Sequence, residues 1–244
     1  MHLPAQSASS QIYLHFTTHT GGAVEAWRDA EVITAAEQAV VIEVGEQVSA
    51  AMNELVAREA AAEQAARVAS KARARFGVRD AVLDLRVMAT SDGVLNGPGL
   101  RKRESPIFKQ VFLNATGTDI VRAKVREEPE LAARLYDRLG KAPDFPGRGV
   151  LLKELGEAVE RSMVARQALL AAEQAEATAK DDERLARLAL RHTLQEVYGK
   201  LLATFPGRKS FVETFFPKRV SAAGASGEAD DDPKVDVAPD DANG

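Results

Sequence analysis

Between Val24 and Thr90 the chain carries no proline, and large apolar residues recur there at three- and four-residue spacing. Such spacing places them on one face of an α-helix. The recurring residues are Val41, Val44, Val48, Met52, Leu55 and Val56. Residues 57–74 then offer mostly alanine, which has the highest helix propensity, so the helix is predicted to continue with a smaller packing face. A stretch of this kind favours helix over any other structure, and we predict an all-α protein.

The second half of the chain repeats this pattern. A strong apolar stripe over residues 151–170 is followed by an alanine-rich stretch at residues 171–184. Residues 61–65 (AAEQA) recur unchanged as residues 171–175, and residues 43–46 (EVGE) are matched by residues 154–157 (ELGE), about 110 positions later. These identities fall in register, so we predict an internal duplication.

The predicted duplication divides the chain. Repeat 1 covers about residues 24–113, a connector covers 114–147, and repeat 2 covers about 148–217. Within the connector, the Glu-Pro-Glu at residues 128–130 opens a predicted short helix that Gly140 ends. Together the repeats form one helical domain over residues 23–220.

The long helical segments allow two arrangements. Bulky residues lie at both ends of each segment, and residues 77–80 are a candidate turn, so each segment would fold back into a hairpin. Two related hairpins would then make a four-helix-bundle-like domain. In the alternative, both segments are continuous helices and the alanine stretches are close-packed helix contacts. We favour the hairpins.

Both repeats end in a Pro-Gly loop with basic residues, followed by a hexapeptide that is apolar at positions 1, 2, 5 and 6. These hexapeptides, residues 107–112 and 211–216, are predicted to be short capping helices. Ser105 before Pro106 is a typical N-cap followed by proline at the first helical position. The tetrapeptide Phe-Pro-Gly-Arg occurs at residues 145–148 and 205–208, where we predict a corner with phenylalanine inside and arginine in water.

The two ends of the chain differ from this pattern. Ile12, Leu14 and Phe16 alternate with polar residues, which predicts a strand-like extended segment within residues 1–22. Such a segment needs a partner for its backbone groups, so it offers a route to self-association. Residues 221–244 carry seven acids and one base, and their composition predicts a disordered acidic tail.

Composition excludes several classes of protein. The formal charge is −4, of which residues 221–244 contribute −6, so the remainder lacks the basic excess of a general nucleic-acid binder. There is no cysteine, which excludes disulfides and thiolate sites. No apolar run is long enough for a membrane span, and the first ten residues do not resemble a secretory signal. We expect a cytoplasmic protein, and the 21 arginines against 11 lysines suggest a bacterial, GC-rich genome.

The basic loops are the one candidate binding site. They could form two anion-binding patches near the starts of the capping helices. Their residues are Arg101, Lys102, Arg103, Arg208 and Lys209. The glycine spacing and the following Lys-Ser/Thr of a phosphate-binding loop are missing, so solvated loop charges are the favoured interpretation.

Nothing in the sequence supports catalysis or metal binding. His15 and His19 lie too far apart on a strand to share one metal, whereas on a helix they would be neighbours. His192 has no glutamate three residues before it, as di-iron bundles require. A buried pair of carboxylates would be the signal for acid–base chemistry, but sequence does not show burial. We predict no catalytic residue, no metal and no cofactor, and enzymatic activity is not favoured.

Three functions follow, in order of preference. The first is a non-enzymatic helical scaffold or protein-interaction protein, with a protein partner or a second copy as its ligand. The second is an anion-binding module that takes phosphate or nucleic acid on the basic loops, although nucleic acid is not favoured. The third is a metal-dependent bundle enzyme. No membrane partner is expected.

Overall fold

The computed structural model describes residues 3–113, 115–124 and 127–218. These residues form helices and no strand, which confirms the all-α prediction. The helices are α1 (Ser10–Arg28), α2 (Ala35–Asn96), α3 (Pro106–Phe112), α4 (Gly117–Val121), α5 (Glu128–Lys141), α6 (Arg148–Thr204) and α7 (Lys209–Glu213). The acidic tail predicted for residues 221–244 lies outside the described residues.

The N-terminal segment is helical, so the prediction of an extended strand there is wrong. Helix α1 buries Tyr13, Phe16, Thr20 and Val24 on one face, at helical spacing. Ile12, which the alternating pattern had placed inside, is 53% exposed. The alternating pattern led to the wrong prediction because it counted Tyr13 among the polar, outward-facing residues, whereas its ring is buried. A strand-mediated route to self-association therefore falls away.

Helices α2 and α6 are continuous over 62 and 57 residues, so the predicted fold-back into hairpins is also wrong. The expected turn at residues 77–80 lies within α2. Gly77 faces open space there, and a solvent-exposed glycine costs a helix only about 1 kcal/mol. The alternative of two continuous helices is confirmed for α2 and α6.

The chain divides into two compact units. Of the described residues, unit 1 takes those up to Asn53 and those from Arg187 onward, and unit 2 takes those from Glu54 to Ala186. Unit 1 therefore contains α1, α7, the start of α2 and the end of α6. Unit 2 contains the remainder of α2 and α6 together with α3, α4 and α5. The predicted domain limits and the predicted duplication stay predictions.

Unit 1 closes around aromatic rings. Trp27 of α1 lies 4.3 Å from Phe211, measured between ring centroids, and its indole N–H donates to the hydroxyl of Thr214 at 3.0 Å. Phe205 is fully buried and lies 4.7 Å from Phe211. Phe216, which follows α7, packs against rings from α1 and α6. The segment after α6 therefore supplies most of the aromatic rings that pack in the core of unit 1.

Unit 2 is built on an antiparallel pair formed by α2 and α6. On α2 every seventh residue is buried, and these residues are Leu55, Ala62, Ala69, Phe76 and Leu83. Seven-residue spacing keeps these positions on one face of the helix, and we call this row of buried residues the seam. Three ion pairs join early residues of one helix to late residues of the other: Arg58 with Asp182, Arg73 with Glu176, and Arg86 with Glu154.

The short helices of unit 2 cover the end of this pair. Helix α5 buries Leu135 and Leu139 on one face. Helix α3 begins at Pro106, and the side chain of Ser105 accepts from the backbone N–H of Phe108, which confirms the predicted N-cap. A capping box of Thr116 and Asp119 starts α4, which the sequence reading had not separated from the connector.

Candidate functional site

An open groove runs along unit 2 between α2 and α6. It is lined by residues 68–79 of α2 and residues 160–172 of α6, and encloses about 1020 Å³. Three valines line it with much of their surface in solvent: Val68 is 47% exposed, Val78 62% and Val164 61%. We call this surface the valine groove.

The alanine-rich sequence explains why a groove forms here. Ala69 and Phe76 occupy the seam, so α2 presents a different face to the groove. The lining residues nearest the seam include Ala72 and Ala172, whose single methyl groups leave space between the two helices. Larger side chains at these positions would fill that space and leave a flat surface.

The charges along the groove are unbalanced. Four basic side chains line it, Lys71, Arg75, Arg79 and Arg161, against one acid, Glu160. Arg161 is in an ion pair with Glu157, four residues earlier on the same helix. Within the described part of the chain, the three bases of α2 are in no ion pair. The valine groove thus joins an apolar surface to a positively charged edge.

A second feature of unit 2 is a group of three carboxyls, of which one is buried and two are half-buried. Asp80 and Asp84 of α2 meet Glu128 at the start of α5, and Glu128 is 1% exposed. Among the described residues, one oxygen of each of these three side chains is buried and has no hydrogen-bond partner. Burial, followed by the nearby carboxyl of Asp84, raises the pKa of Glu128 to about 9. Burial also raises the pKa of Asp80.

This acid cluster is the buried carboxylate pair that would have favoured an enzyme, and the sequence did not reveal it. A catalytic carboxyl must lie within hydrogen-bond reach of its substrate. Glu128 is closed off from solvent, and none of the three acids lines the valine groove. Among the described residues, no group of histidines and carboxylates has the arrangement of a metal site. The buried carboxyl of the acid cluster is therefore not accessible to a substrate, whereas Asp80 and Asp84 are half-buried.

The first predicted basic loop lies in unit 2, between α2 and α3. Arg101, Lys102 and Arg103 are all exposed there. Leu100 and Arg101 have positive φ angles, 49° and 60°, and the backbone N–H of Arg101 donates to the carbonyl of Leu95. The loop thus presents three adjacent positive charges to solvent.

The second predicted basic loop lies in unit 1, at the corner between α6 and α7. Arg208 bonds to the carboxylate of Glu37, and its guanidinium lies 4.7 Å from the ring centroid of Phe205. Arg208 is exposed to solvent, as predicted, and it also reaches a carboxylate of α2. Lys209 is exposed. The two basic loops belong to different units and have different surroundings.

The histidines are surface residues. His15 and His19 are exposed and lie one turn apart on α1, and His192 is exposed on α6. His2 lies outside the residues that the structure describes. None of the helices in the described segments has the length and apolarity that a bilayer-spanning segment needs. The predicted cytoplasmic location stays a prediction.

The sequence reading missed the valine groove, although a signal was present. Val68 and Val78 fall outside the seven-residue seam, so they lie off the packed face. Lys71, Arg75 and Arg79 lie at four-residue spacing beside them, which places three bases in one row along a helix. An apolar residue out of phase with the seam, next to a row of like charges, indicates a surface without a partner in its own chain.

Comparison with family models, with curated proteins and with solved structures finds no match. No similarity therefore suggests an activity for this chain. The geometry of the described residues is what a functional proposal has to rest on. In that geometry the valine groove joins exposed apolar surface to a positively charged edge.

Proposed function

We propose that this protein is a non-enzymatic helical interaction protein and that the valine groove binds its protein partner. The observation that carries the proposal is the exposure of Val68, Val78 and Val164 along one continuous groove. Contiguous apolar surface of this kind marks interaction sites on proteins, whereas single exposed apolar residues do not. Covering the exposed part of each valine would contribute roughly 1 kcal/mol to binding.

A helix is the ligand that suits this surface. Residues 68–79 of α2 extend roughly 17 Å at 1.5 Å per residue, which is about three helical turns. The volume lies at the upper end of the range for small-molecule pockets, roughly 300 to 1000 Å³, and the groove is open to solvent. Amphipathic helices bind to other proteins by laying their apolar face into such a groove.

A designed peptide tests the proposal. The probe is a labelled helical peptide of about 16 residues with leucines at i, i+3 and i+7 spacing and neutral glutamine elsewhere. We expect fluorescence anisotropy to show binding to the wild-type protein. Val164→Asp should weaken that binding at least tenfold, because a charge would then face the apolar side of the peptide.

The matched control is Leu185→Asp, which changes a similarly exposed apolar residue of α6 outside the groove. It should bind the peptide as the wild type does, and circular dichroism should show both variants fully helical. Equal binding by wild type and Val164→Asp would contradict the proposal. Light scattering on the wild type and Val164→Asp shows whether a second copy, rather than another protein, occupies the groove.

Anion binding by the basic loops is the second candidate function. Three adjacent exposed bases at Arg101, Lys102 and Arg103 support it. The bond between Arg208 and Glu37 weakens it, because that arginine already has a carboxylate partner. Reversing the charges of residues 101–103 should abolish salt-dependent retention on a phosphate column. A wild-type protein that is not retained would end this alternative.

A further inference from the structure

The basic side chains of α2 in unit 2 fall into two groups. Four of them have a carboxylate partner within the chain, and these are Arg58, Arg67, Arg73 and Arg86. The other three, Lys71, Arg75 and Arg79, have none among the described residues, and all three line the valine groove. The chain thus neutralises its bases everywhere on this part of α2 except at the groove.

We infer that the partner of the valine groove is an amphipathic helix whose flank carries carboxylates. This inference rests on the function proposed above and specifies the ligand. The valines would contact the apolar stripe of that helix. The row formed by Lys71, Arg75 and Arg79 would face its acidic flank. Exposed charge pairs contribute little affinity each, but they select a partner by sign and set its orientation.

A second copy of the chain fits this surface less well. If two grooves faced each other, the row of Lys71, Arg75 and Arg79 in one copy would face the same row in the other. Like charges opposed across an interface are unfavourable. Single-stranded nucleic acid fits less well too, because the residues that line the groove include no aromatic ring on which a base could stack.

Two further peptides test the inference. Both keep the leucine stripe of the neutral probe, but one carries glutamate on its flanks and the other carries lysine. We expect the glutamate peptide to bind at least tenfold more tightly than the lysine peptide at low salt. The difference should shrink as salt is raised from about 50 to about 200 mM, because exposed charges are then screened.

A charge swap provides the specific control. The double variant Arg75→Glu with Arg79→Glu should bind the lysine peptide better than the glutamate peptide, which reverses the wild-type order. Arg184→Glu, an exposed position of unit 2 outside the groove, should keep the wild-type order. Circular dichroism should show that all variants stay helical.

The outcomes separate the two proposals. If the three peptides bind through Val164 but show no preference for glutamate, the acidic partner is wrong and the interaction function stands. If no peptide binds in a way that Val164→Asp weakens, the interaction function itself fails. Groove-dependent binding to phosphatidylserine vesicles without peptide binding, or groove-dependent dimers in light scattering, would also overturn the acidic helix.

Discussion

In unit 1 the side chain of Val24 packs onto Gly45, and in unit 2 the ring of Tyr136 packs onto Gly156. A Cβ placed on Gly45 would lie 2.6 Å from Cγ1 of Val24, and one on Gly156 would lie 2.8 Å from Cε2 of Tyr136. Both glycines belong to the Glu-x-Gly-Glu motif of a long helix. The glycine of this motif therefore lets a side chain of a neighbouring helix pack directly against the backbone of the long helix.

The same motif supplies a matching ion pair in each unit. Glu43 is paired with Lys200 at 2.5 Å in unit 1, and Glu154 is paired with Arg86 at 2.7 Å in unit 2. Each pair joins the first part of one long helix to the last part of the other. The predicted duplication would require such matching contacts, although duplication itself stays a prediction.

The units differ in how they treat buried polar atoms and exposed apolar ones. Unit 2 holds most of the described buried polar atoms without a hydrogen-bond partner, including those of Asp80, Asp84 and Glu128. Unit 2 also carries the valine groove, whereas unit 1 closes around its aromatic rings. The two units thus share glycine contacts and ion pairs of the same kind, but only unit 2 carries the valine groove.

The largest difference between the units should be a loss of stability in unit 2 as the pH is raised. Glu128 has a pKa of about 9 in the folded state, above its ordinary value of 4.5. Because the folded value is raised, the stability linked to this proton is complete below about pH 4.5 and is lost as pH rises through about 9. Ionised Glu128 would then be a buried charge beside Asp80 and Asp84, which costs several kcal/mol. Hydrogen exchange over residues 54–186 at pH 5 to 10 measures the loss.

Glu128→Gln is the matched control for that titration, because an amide has nearly the shape of the carboxyl and does not ionise. The variant should lose much of the decline in protection between pH 7 and pH 10. A decline as steep as that of the wild type would show that some other group causes it.

A substitution in the aromatic core of unit 1 should destabilise the protein more than one in the valine groove of unit 2. Phe205→Ala should lower the free energy of unfolding by about 3 to 5 kcal/mol, because it leaves a cavity beside Phe211. Val164→Ala should change it by less than about 0.5 kcal/mol, since that side chain is mostly in solvent. Urea unfolding followed by circular dichroism measures both. A large loss for Val164→Ala would show that the groove belongs to the core.

A smaller difference should separate the two glycines. Val24 is buried and has a short, branched side chain, so Gly45→Ala should cost about 1 to 3 kcal/mol by overpacking. Tyr136 is 39% exposed and its ring can move outward, so the helix propensity gained in Gly156→Ala, about 1 kcal/mol, should offset the contact. Thermal unfolding of both variants measures the difference. Equal losses of stability in the two variants would contradict the argument that Tyr136 can move away from the new methyl group and Val24 cannot.

The all-α class was predictable because helix propensity and apolar spacing act locally along α2 and α6. The Ser105 cap was predictable for the same reason. Continuity of the long helices was harder to predict, because the sequence reading looked for large side chains and overlooked the repeat through Ala62 and Ala69. Seven-residue spacing was visible in the sequence, but its meaning depended on a second helix close enough to pack against methyl groups.

The acid cluster could not be predicted from local pattern. Asp80 and Asp84 look like the wet side of α2, and Glu128 looks like a favourable acid in the first turn of α5. They meet only because α5 packs against α2, which is a tertiary contact. Val164 is the opposite case. An apolar residue on a long helix is expected to be buried, and only the position of α2 shows that this face of α6 is left uncovered.

The smallest expected difference lies between the two Phe-Pro-Gly-Arg corners. In both, the phenylalanine is buried and the glycine has a positive φ angle, 87° at Gly147 and 75° at Gly207. The arginines differ. Arg148 donates to the carbonyls of Leu139 and Gly140, so it satisfies the C-terminal end of α5. Arg208 instead forms an exposed pair with Glu37.

Arg148→Ala should therefore cost about 1 to 3 kcal/mol, because hydrogen bonds from a charged donor to backbone carbonyls are lost. Arg208→Ala should cost less, since exposed pairs are weak and screened by salt. Urea unfolding at low and high salt measures both, and Arg148→Lys tests whether charge alone suffices. Because lysine lacks the planar donor fork, it should restore only part of the stability. Full rescue by lysine would mean that the arginine acts on the end of α5 through its charge rather than through two directed hydrogen bonds.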